Sequence, residues 1–98
     1  MGVIETLTFR TAPGVTEAEF LAADRVVQRQ VVPNRPGFFR RTTARDASGE
    51  GWIVVTLWED EAAADAAMAG SWRHPAAVAF TGLLDPATIR RARYLTLD

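Results

Sequence analysis

Three side chains in this sequence can move a proton or hold an aromatic molecule: Glu5, Trp58 and His74. His74 is the sole histidine, and imidazole is the side chain that most readily exchanges a proton near neutral pH. It suits a general base or a proton shuttle. It also stands directly before Pro75 at a helix start, where a residue often acts as a cap or packs at the surface. Spacing alone names no partner for it, so the local role is preferred. Glu5 falls on the apolar side of the first alternating segment. A carboxylate facing a dry pocket can take a substrate proton. The alternative is a salt bridge with Arg40, Arg91 or Arg93 on a neighbouring strand, or exposure near the sheet end. Trp58 ends a strand. Its indole either stacks on an aromatic ligand or completes the core.

What is missing narrows the chemistry further. There is no cysteine, hence no disulfide framework, thiolate metal site or cysteine nucleophile. A single histidine excludes a multi-histidine metal site. All 11 basic residues are arginine, which removes Schiff-base chemistry and a phosphate-loop lysine. No Gly-rich phosphate loop, dinucleotide fingerprint or Ser-His-acid arrangement is present. The expectation is therefore no metal and no cofactor. The net charge of −1 gives no global attraction to nucleic acid or anionic membrane.

The elements that must position these residues follow from periodicity. Val3 to Thr11 alternates as a strand, with Val3, Glu5, Leu7 and Phe9 on one face and Ile4, Thr6 and Thr8 on the other. Thr16 and Glu19 form a capping box, and Val15 and Phe20 a hydrophobic staple, for a first helix that Pro33 stops. Phe20, Ala23, Val27 and Val31 line its apolar face. Phe38 to Asp46 and Gly51 to Trp58 form a hairpin. Its second strand is apolar on both faces: Trp52, Val54 and Trp58 on one, Ile53, Val55 and Leu57 on the other. Such a strand belongs in the middle of a sheet. Asp60 caps a second helix from Glu61 to about Ala69, which Gly70 ends. Pro75 opens a short third helix that Gly82 closes. Ile89 to Leu97 is the last strand.

Ninety-eight residues make one domain, 1–98. The apolar fraction of 48% and charged fraction of 23% are those of an ordinary globular protein. No apolar run reaches the length of a membrane span, and Met1 to Arg10 lacks the basic start and apolar stretch of a leader, so a cytoplasmic protein without membrane contact is expected. The order β-α-β-β-α-(α)-β with right-handed crossovers gives an α+β, ferredoxin-like antiparallel sheet, strand order 4-1-3-2, helices on one face. Ile4, Ile53, Val55 and Leu57 populate the uncovered face. Sheet-to-sheet packing of a second copy would cover it. The arginine groups Arg40, Arg41, Arg45 and Arg90, Arg91, Arg93 fall on the two edge strands, where charge blocks unwanted pairing. RNA-recognition domains share this topology, but the run Gly51-Trp52-Ile53-Val54-Val55-Thr56-Leu57-Trp58 lacks their second Gly-aromatic pair. No nucleic-acid partner is expected.

Pro36-Gly37-Phe38, the Trp52–Trp58 strand running into Glu59-Asp60-Glu61, and Trp72-Arg73-His74-Pro75 together resemble the antibiotic-biosynthesis-monooxygenase-like family of dimeric α/β-barrel proteins. The likeness covers essentially the whole chain. It implies two ferredoxin-like subunits packed sheet to sheet, each with its own pocket between sheet and helices. It also implies relatives that oxygenate aromatic polyketides without a cofactor, degrade haem, or have no known activity. Trp58 matches the tryptophan that ends the third strand in both active branches, which favours its pocket role. Where the oxygenase branch carries asparagine four residues earlier, this chain has Val54. Where the haem-degrading branch carries asparagine on the first strand and histidine on the third helix, it has Leu7 and Thr81. Haem degradation is thus not implied.

The reading that results is a homodimer with a mostly apolar pocket for a small aromatic or polyketide-like molecule. Leu7, Phe9, Trp58, Trp72 and Phe80 would line it, with Trp58, His74 and Glu5 as candidate catalytic groups. A cofactor-independent monooxygenase comes first. A cyclase or isomerase working by proton abstraction without oxygen, and a non-catalytic binding protein, are the alternatives.

Overall fold

The structure is a computed structural model that describes residues 2–71 and 73–97. Four strands form one antiparallel sheet: β1 (Val3–Phe9), β2 (Phe38–Arg45), β3 (Trp52–Trp58) and β4 (Arg90–Leu95). Their spatial order is β2-β3-β1-β4, the order expected. Three α-helices, α1 (Glu17–Val26), α2 (Glu61–Ser71) and α3 (Pro75–Thr81), complete the ferredoxin-like arrangement. β1 and β4 are each shorter than their alternation suggested. β1 stops at Phe9 because the chain turns toward α3, where Thr11 bridges Leu84 and the Ala12 amide donates to the Leu83 carbonyl at 2.8 Å. β4 begins only after a 3-10 turn at Pro86–Thr88.

The cap of α1 is as expected in position but not in detail. The Glu19 amide donates to Thr16 Oγ1 at 3.1 Å, and the Thr16 hydroxyl faces Glu19 Oε1 at 3.2 Å. The helix does not run straight to Pro33. It widens into a π-turn over Val27–Val31 and tightens into a 3-10 turn over Val32–Asn34. The extra residue in the π-turn rotates the chain so that Val27, Val31 and Val32 are all buried. Such turns are rare and recur at functional sites.

Gly70 does not end α2; the helix continues through it to Ser71. Glycine there leaves room for the end of the Arg35 side chain. A Cβ on Gly70 would sit 2.8 Å from Arg35 Nη1. Gly37 combines two demands, a φ of +79° and an approach that would put its Cβ 2.5 Å from that of Ala63. It joins α2 to the start of β2, where Phe38 lies edge-on to Trp58 with centroids 5.8 Å apart.

Register fixes the faces. Val3, Glu5, Leu7 and Phe9 pair with Trp58, Thr56, Val54 and Trp52 on one side, and Glu5 and Leu7 with Arg93 and Arg91 on the other. All of these point to the helices. The core there is an aromatic cluster in which Phe20 packs against Trp52, Phe80 and Phe9 at 4.5, 5.5 and 5.6 Å. Each such pair adds about 0.5–1.5 kcal/mol beyond simple burial. The opposite face carries Ile4, Ile53, Val55, Leu57 and the exposed Tyr94, with no helix over it among the described residues.

A bulge between Phe38 and Arg40 changes the meaning of the arginine group on β2. Arg41 faces inward. Its guanidinium bonds Asp24 of α1 at 2.8 Å and Gln28 at 3.2 Å, and lies 5.6 Å from the Phe80 ring centre. Arg41 is thus a buried charge rather than an edge charge, while Arg40 and Arg45 remain exposed as expected.

Candidate functional site

A cavity of about 140 Å³ opens between the sheet and the helices. Its floor is the helix-facing side of the sheet: Glu5 and Leu7 from β1, Trp58 from β3 and Arg91 from β4. Its roof is Val27 from the π-turn, Ala67 and Met68 from α2, and Ala77, Phe80 and Thr81 from α3, with Leu84 just beyond. The small residues of α2 and α3 bring two helices close to the sheet without filling the space between. A smaller hollow of about 110 Å³ shares Glu5, Leu7 and Arg91 with it, and adds Val54 and Thr56. A larger groove of about 380 Å³ lies at the other end of the sheet, around Arg10, Asp46 and Thr88. Its polar groups serve the chain itself. Asp46 accepts from the Ser48 amide, Thr88 from the Arg10 amide, and Arg10 pairs with Glu50. The groove therefore has less to offer a ligand than the cavity under the helices.

Trp58 is the most informative wall of that cavity. It is 4% exposed, yet its indole N–H has no hydrogen-bond partner. A buried donor left unpaired costs about 1–3 kcal/mol. Native folds seldom carry such a group without a reason; the nitrogen is closed off by packing, so other atoms of the indole wall the cavity.

Glu5 and Arg91 supply the cavity's charge. Glu5 Oε2 accepts two bonds from Arg93, at 2.9 and 3.3 Å, and Arg93 also reaches Asp65 on α2 at 2.8 Å. These partners hold the Arg93 guanidinium charged to higher pH than usual, Asp65 contributing most and then Glu5. Arg91 runs along the exposed edge strand but borders both hollows. Partial loss of hydration there lowers its pKa, and the nearby Glu5 charge opposes that shift.

The site residues expected from sequence fall into three groups. Glu5, Leu7, Trp58 and Phe80 meet around the cavity. Phe9 lies deeper, packed on Phe20 and Phe80, and touches only the far groove. His74 caps α3, with Nδ1 accepting the Ala76 amide at 3.0 Å, and does not line the cavity among the described residues. Trp72 lies outside the described residues. The sequence offers Arg91 only as an edge-strand charge or as a partner for Glu5, not as a cavity wall. The signal was available in the β1–β4 register, which sets Arg91 opposite Leu7. Val27 and Met68 carried no such signal, because helix periodicity alone does not tell a pocket wall from a core contact. Leu7 and Thr81 line the cavity, and Val54 borders the smaller hollow. No cluster of three or more His, Cys, Asp or Glu side chains occurs among the described residues.

With this architecture in place, the comparison with known families is direct. Residues 2–77 match the family described as antibiotic biosynthesis monooxygenase, and the chain belongs to it. Solved structures with the same fold include SnoaB, a cofactor-independent oxygenase from Streptomyces nogalater. It is 21% identical, with a TM-score of 0.80, over 99% of this chain and 94% of that one. A dimeric ferredoxin-like protein of unknown function from Thermobifida fusca is 17% identical, TM-score 0.76, over 98% and 92% of the two chains. Rv0793 from Mycobacterium tuberculosis is 15% identical, TM-score 0.71, over 100% and 97%. No curated protein sequence matches the chain.

Proposed function

We propose that this chain is a cytoplasmic, homodimeric, cofactor-independent tailoring enzyme of the oxygenase type. Its substrate is an aromatic or polyketide-type molecule held in the cavity between sheet and helices. The observation that carries the reading is the cavity itself, walled by the aromatic rings of Trp58 and Phe80 and by Leu7, with Glu5 at its border. Family membership and the likeness to SnoaB support it.

In this reading an electron-rich aromatic substrate stacks against Trp58 and the Phe80 edge. Glu5 is the carboxylate that lines the cavity and takes the substrate's proton. Stabilisation of the resulting anion by the Trp58 N–H requires the indole to turn toward the cavity, since its nitrogen is closed off by packing in this structure. The carbanion supplies electrons to molecular oxygen, and a carbon–oxygen bond forms to give a peroxide. Loss of water breaks the O–O bond and leaves a carbonyl on the ring. One oxygen atom enters the product and the other leaves as water, with all the electrons drawn from the substrate.

The dimer in this proposal uses the open sheet face. Ile53, Val55 and Leu57 of β3 and Ile4 of β1 lie side by side there. Apolar sheet surface without a cover marks an interaction site. The Thermobifida fusca neighbour, which shares the fold, is dimeric.

The test is oxygen uptake with an anthrone or quinol substrate. Uptake that is lost in Trp58→Phe while the fold persists supports the oxygenase. Turnover of the same substrate under nitrogen replaces it with a cyclase or isomerase. Saturable binding with no turnover in either atmosphere makes the chain a binding protein.

A further inference from the structure

A row of four polar side chains crosses the sheet beneath the helices. The strand register sets Arg93, Glu5, Thr56 and Arg41 side by side on β4, β1, β3 and β2. Polar groups under a helical layer are costly unless each is hydrogen-bonded. The ionic members of the row are. Arg93 holds Glu5 at 2.9 Å and Asp65 at 2.8 Å, and Arg41 holds Asp24 at 2.8 Å and Gln28 at 3.2 Å. Thr56 is the exception. It is 9% exposed and stands on the central strand between Val54 and Trp58, where valine would fill the same space. Thr43, which shares that face, donates its hydroxyl to Asp24 at 2.9 Å. The Thr56 hydroxyl has no hydrogen-bond partner among the described residues. It is not closed off either. The sealed, unpaired side-chain atoms are Arg35 Nε and Trp58 Nε1, and the Thr56 oxygen is not one of them. Thr56 borders the hollow that Glu5 shares with the main cavity.

Glu5 also keeps one oxygen unengaged. Both bonds from Arg93 fall on Oε2, and Oε1 accepts none among the described residues. Residues directly opposite on antiparallel strands have Cβ atoms roughly 4.5–5.5 Å apart, so one ligand atom can reach both Thr56 and Glu5. An ionised carboxylate only accepts, whereas a hydroxyl both donates and accepts. The ligand group that satisfies the pair is therefore itself a hydroxyl, donating to Glu5 and accepting from Thr56. An ether or a carbonyl has no proton to give Glu5.

We infer that Thr56 contacts the ligand, and that with Glu5 it selects a ring hydroxyl at the floor of the cavity. This rests on the proposed oxygenase's choice of cavity and places its first proton transfer. The O–H bond of the ligand breaks, the proton passes to Glu5, and the electron pair stays on the oxygen. Thr56 donates its hydrogen bond to that oxygen as the charge develops. Both hollows open outward, so these polar groups, rather than the volume, make the selection.

Two probes that differ only at the selected group decide it: 2-naphthol and its methyl ether. Each is titrated at neutral pH into the full chain while the Thr56 and Glu5 amide resonances are followed. The naphthol is expected to bind about tenfold tighter than the ether and to move both resonances. Thr56→Val keeps the branched shape and removes the hydroxyl. It should lower naphthol affinity about three- to tenfold, the scale of one hydrogen bond, and leave the ether's affinity unchanged. The urea midpoint should stay where it was, since the hydroxyl bonds nothing within the fold. Thr56→Ser should keep the preference for naphthol. Equal affinity for the two probes, equal losses for both in Thr56→Val, or a lowered urea midpoint with the probe ratio unchanged overturns the inference. Each of those results leaves the cavity reading standing. Failure of both probes to bind overturns the inference and the cavity reading together. If Thr56→Val does not fold, the two-probe comparison in the unaltered chain still decides.

Discussion

Replacing Trp58 by phenylalanine separates a ligand-binding indole from a structural one. The side chain is 4% exposed and packs on Phe38, Val3, Ala64 and Ala67. Phenylalanine keeps a ring against Phe38 and removes the N–H together with about two ring carbons. At about 0.8 kcal/mol per buried carbon, the lost burial costs about 1.6 kcal/mol. Removing a buried donor with no partner relieves about 1–3 kcal/mol. The two nearly cancel, so stability should lie within about 1 kcal/mol of the parent, a melting shift of at most about 8 °C for a domain this small. Where the indole turns its N–H toward a bound ligand, affinity should move the other way, falling about three- to tenfold as one hydrogen bond is lost. Thermal or urea unfolding, at one fixed protein concentration because the melting point of the proposed dimer depends on it, gives the first number. Titration with an aromatic ligand gives the second. A loss of more than about 3 kcal/mol, the range of a large-to-small core change, with binding untouched would refute the reasoning. The indole N–H would then be paired within the fold, and Trp58 would be a core residue.

Asp24 and Arg41 form the buried ion pair beneath β2, with side chains 12% and 4% exposed. Asp24→Ala or Arg41→Ala alone should cost about 3–5 kcal/mol by stranding a charge. Combining Asp24→Leu with Arg41→Met should cost far less than the sum, and additive losses in urea unfolding would contradict a coupled pair. His74→Ala removes the α3 cap and should cost about 0.5–2 kcal/mol while leaving aromatic binding intact. A rate falling by orders of magnitude at unchanged stability would instead make His74 catalytic. Val55→Arg places a charge in the middle of the open sheet face and should shift native mass spectra from dimer to monomer. An unaltered dimer would move the interface elsewhere. The raised Arg93 pKa means its bonds to Asp65 and Glu5 stabilise the fold throughout the neutral range and on the alkaline side fade only in strong alkali. Arg93→Met should therefore lower the melting point by the same amount at about pH 6 and pH 9.

The topology was legible because each strand and cap is announced locally. Val3 to Phe9 alternates, Thr16 and Glu19 mark the helix start, and the two apolar faces of Trp52–Trp58 put β3 in the middle of the sheet. The helix-facing set Glu5, Leu7 and Trp58 follows from the same alternation. What escaped notice depends on distant pairings. The bulge at Phe39 reverses which side Arg41 occupies, and no local pattern marks it. Asp24 reads as a surface residue of α1 and is buried, because its partner comes from β2, beyond the turn that ends the helix. The π-turn at Val27 differs from an α-turn by one hydrogen-bond step, which valine and glutamine do not distinguish. Gly70 reads as a helix stop and is instead a notch for Arg35.

β1 sits between β3 and β4, and its two faces look in different directions: Glu5 and Leu7 into the cavity, Ile4, Thr6 and Thr8 onto the open sheet. Two separate instructions are thus interleaved in alternate letters of one seven-residue word. A point substitution edits one instruction and leaves the other readable. A single-residue insertion or deletion exchanges them, putting isoleucine and threonine under the helices and a glutamate on the open side. Along this strand, substitutions can alter the cavity lining and the open face independently, whereas a change of length alters both at once.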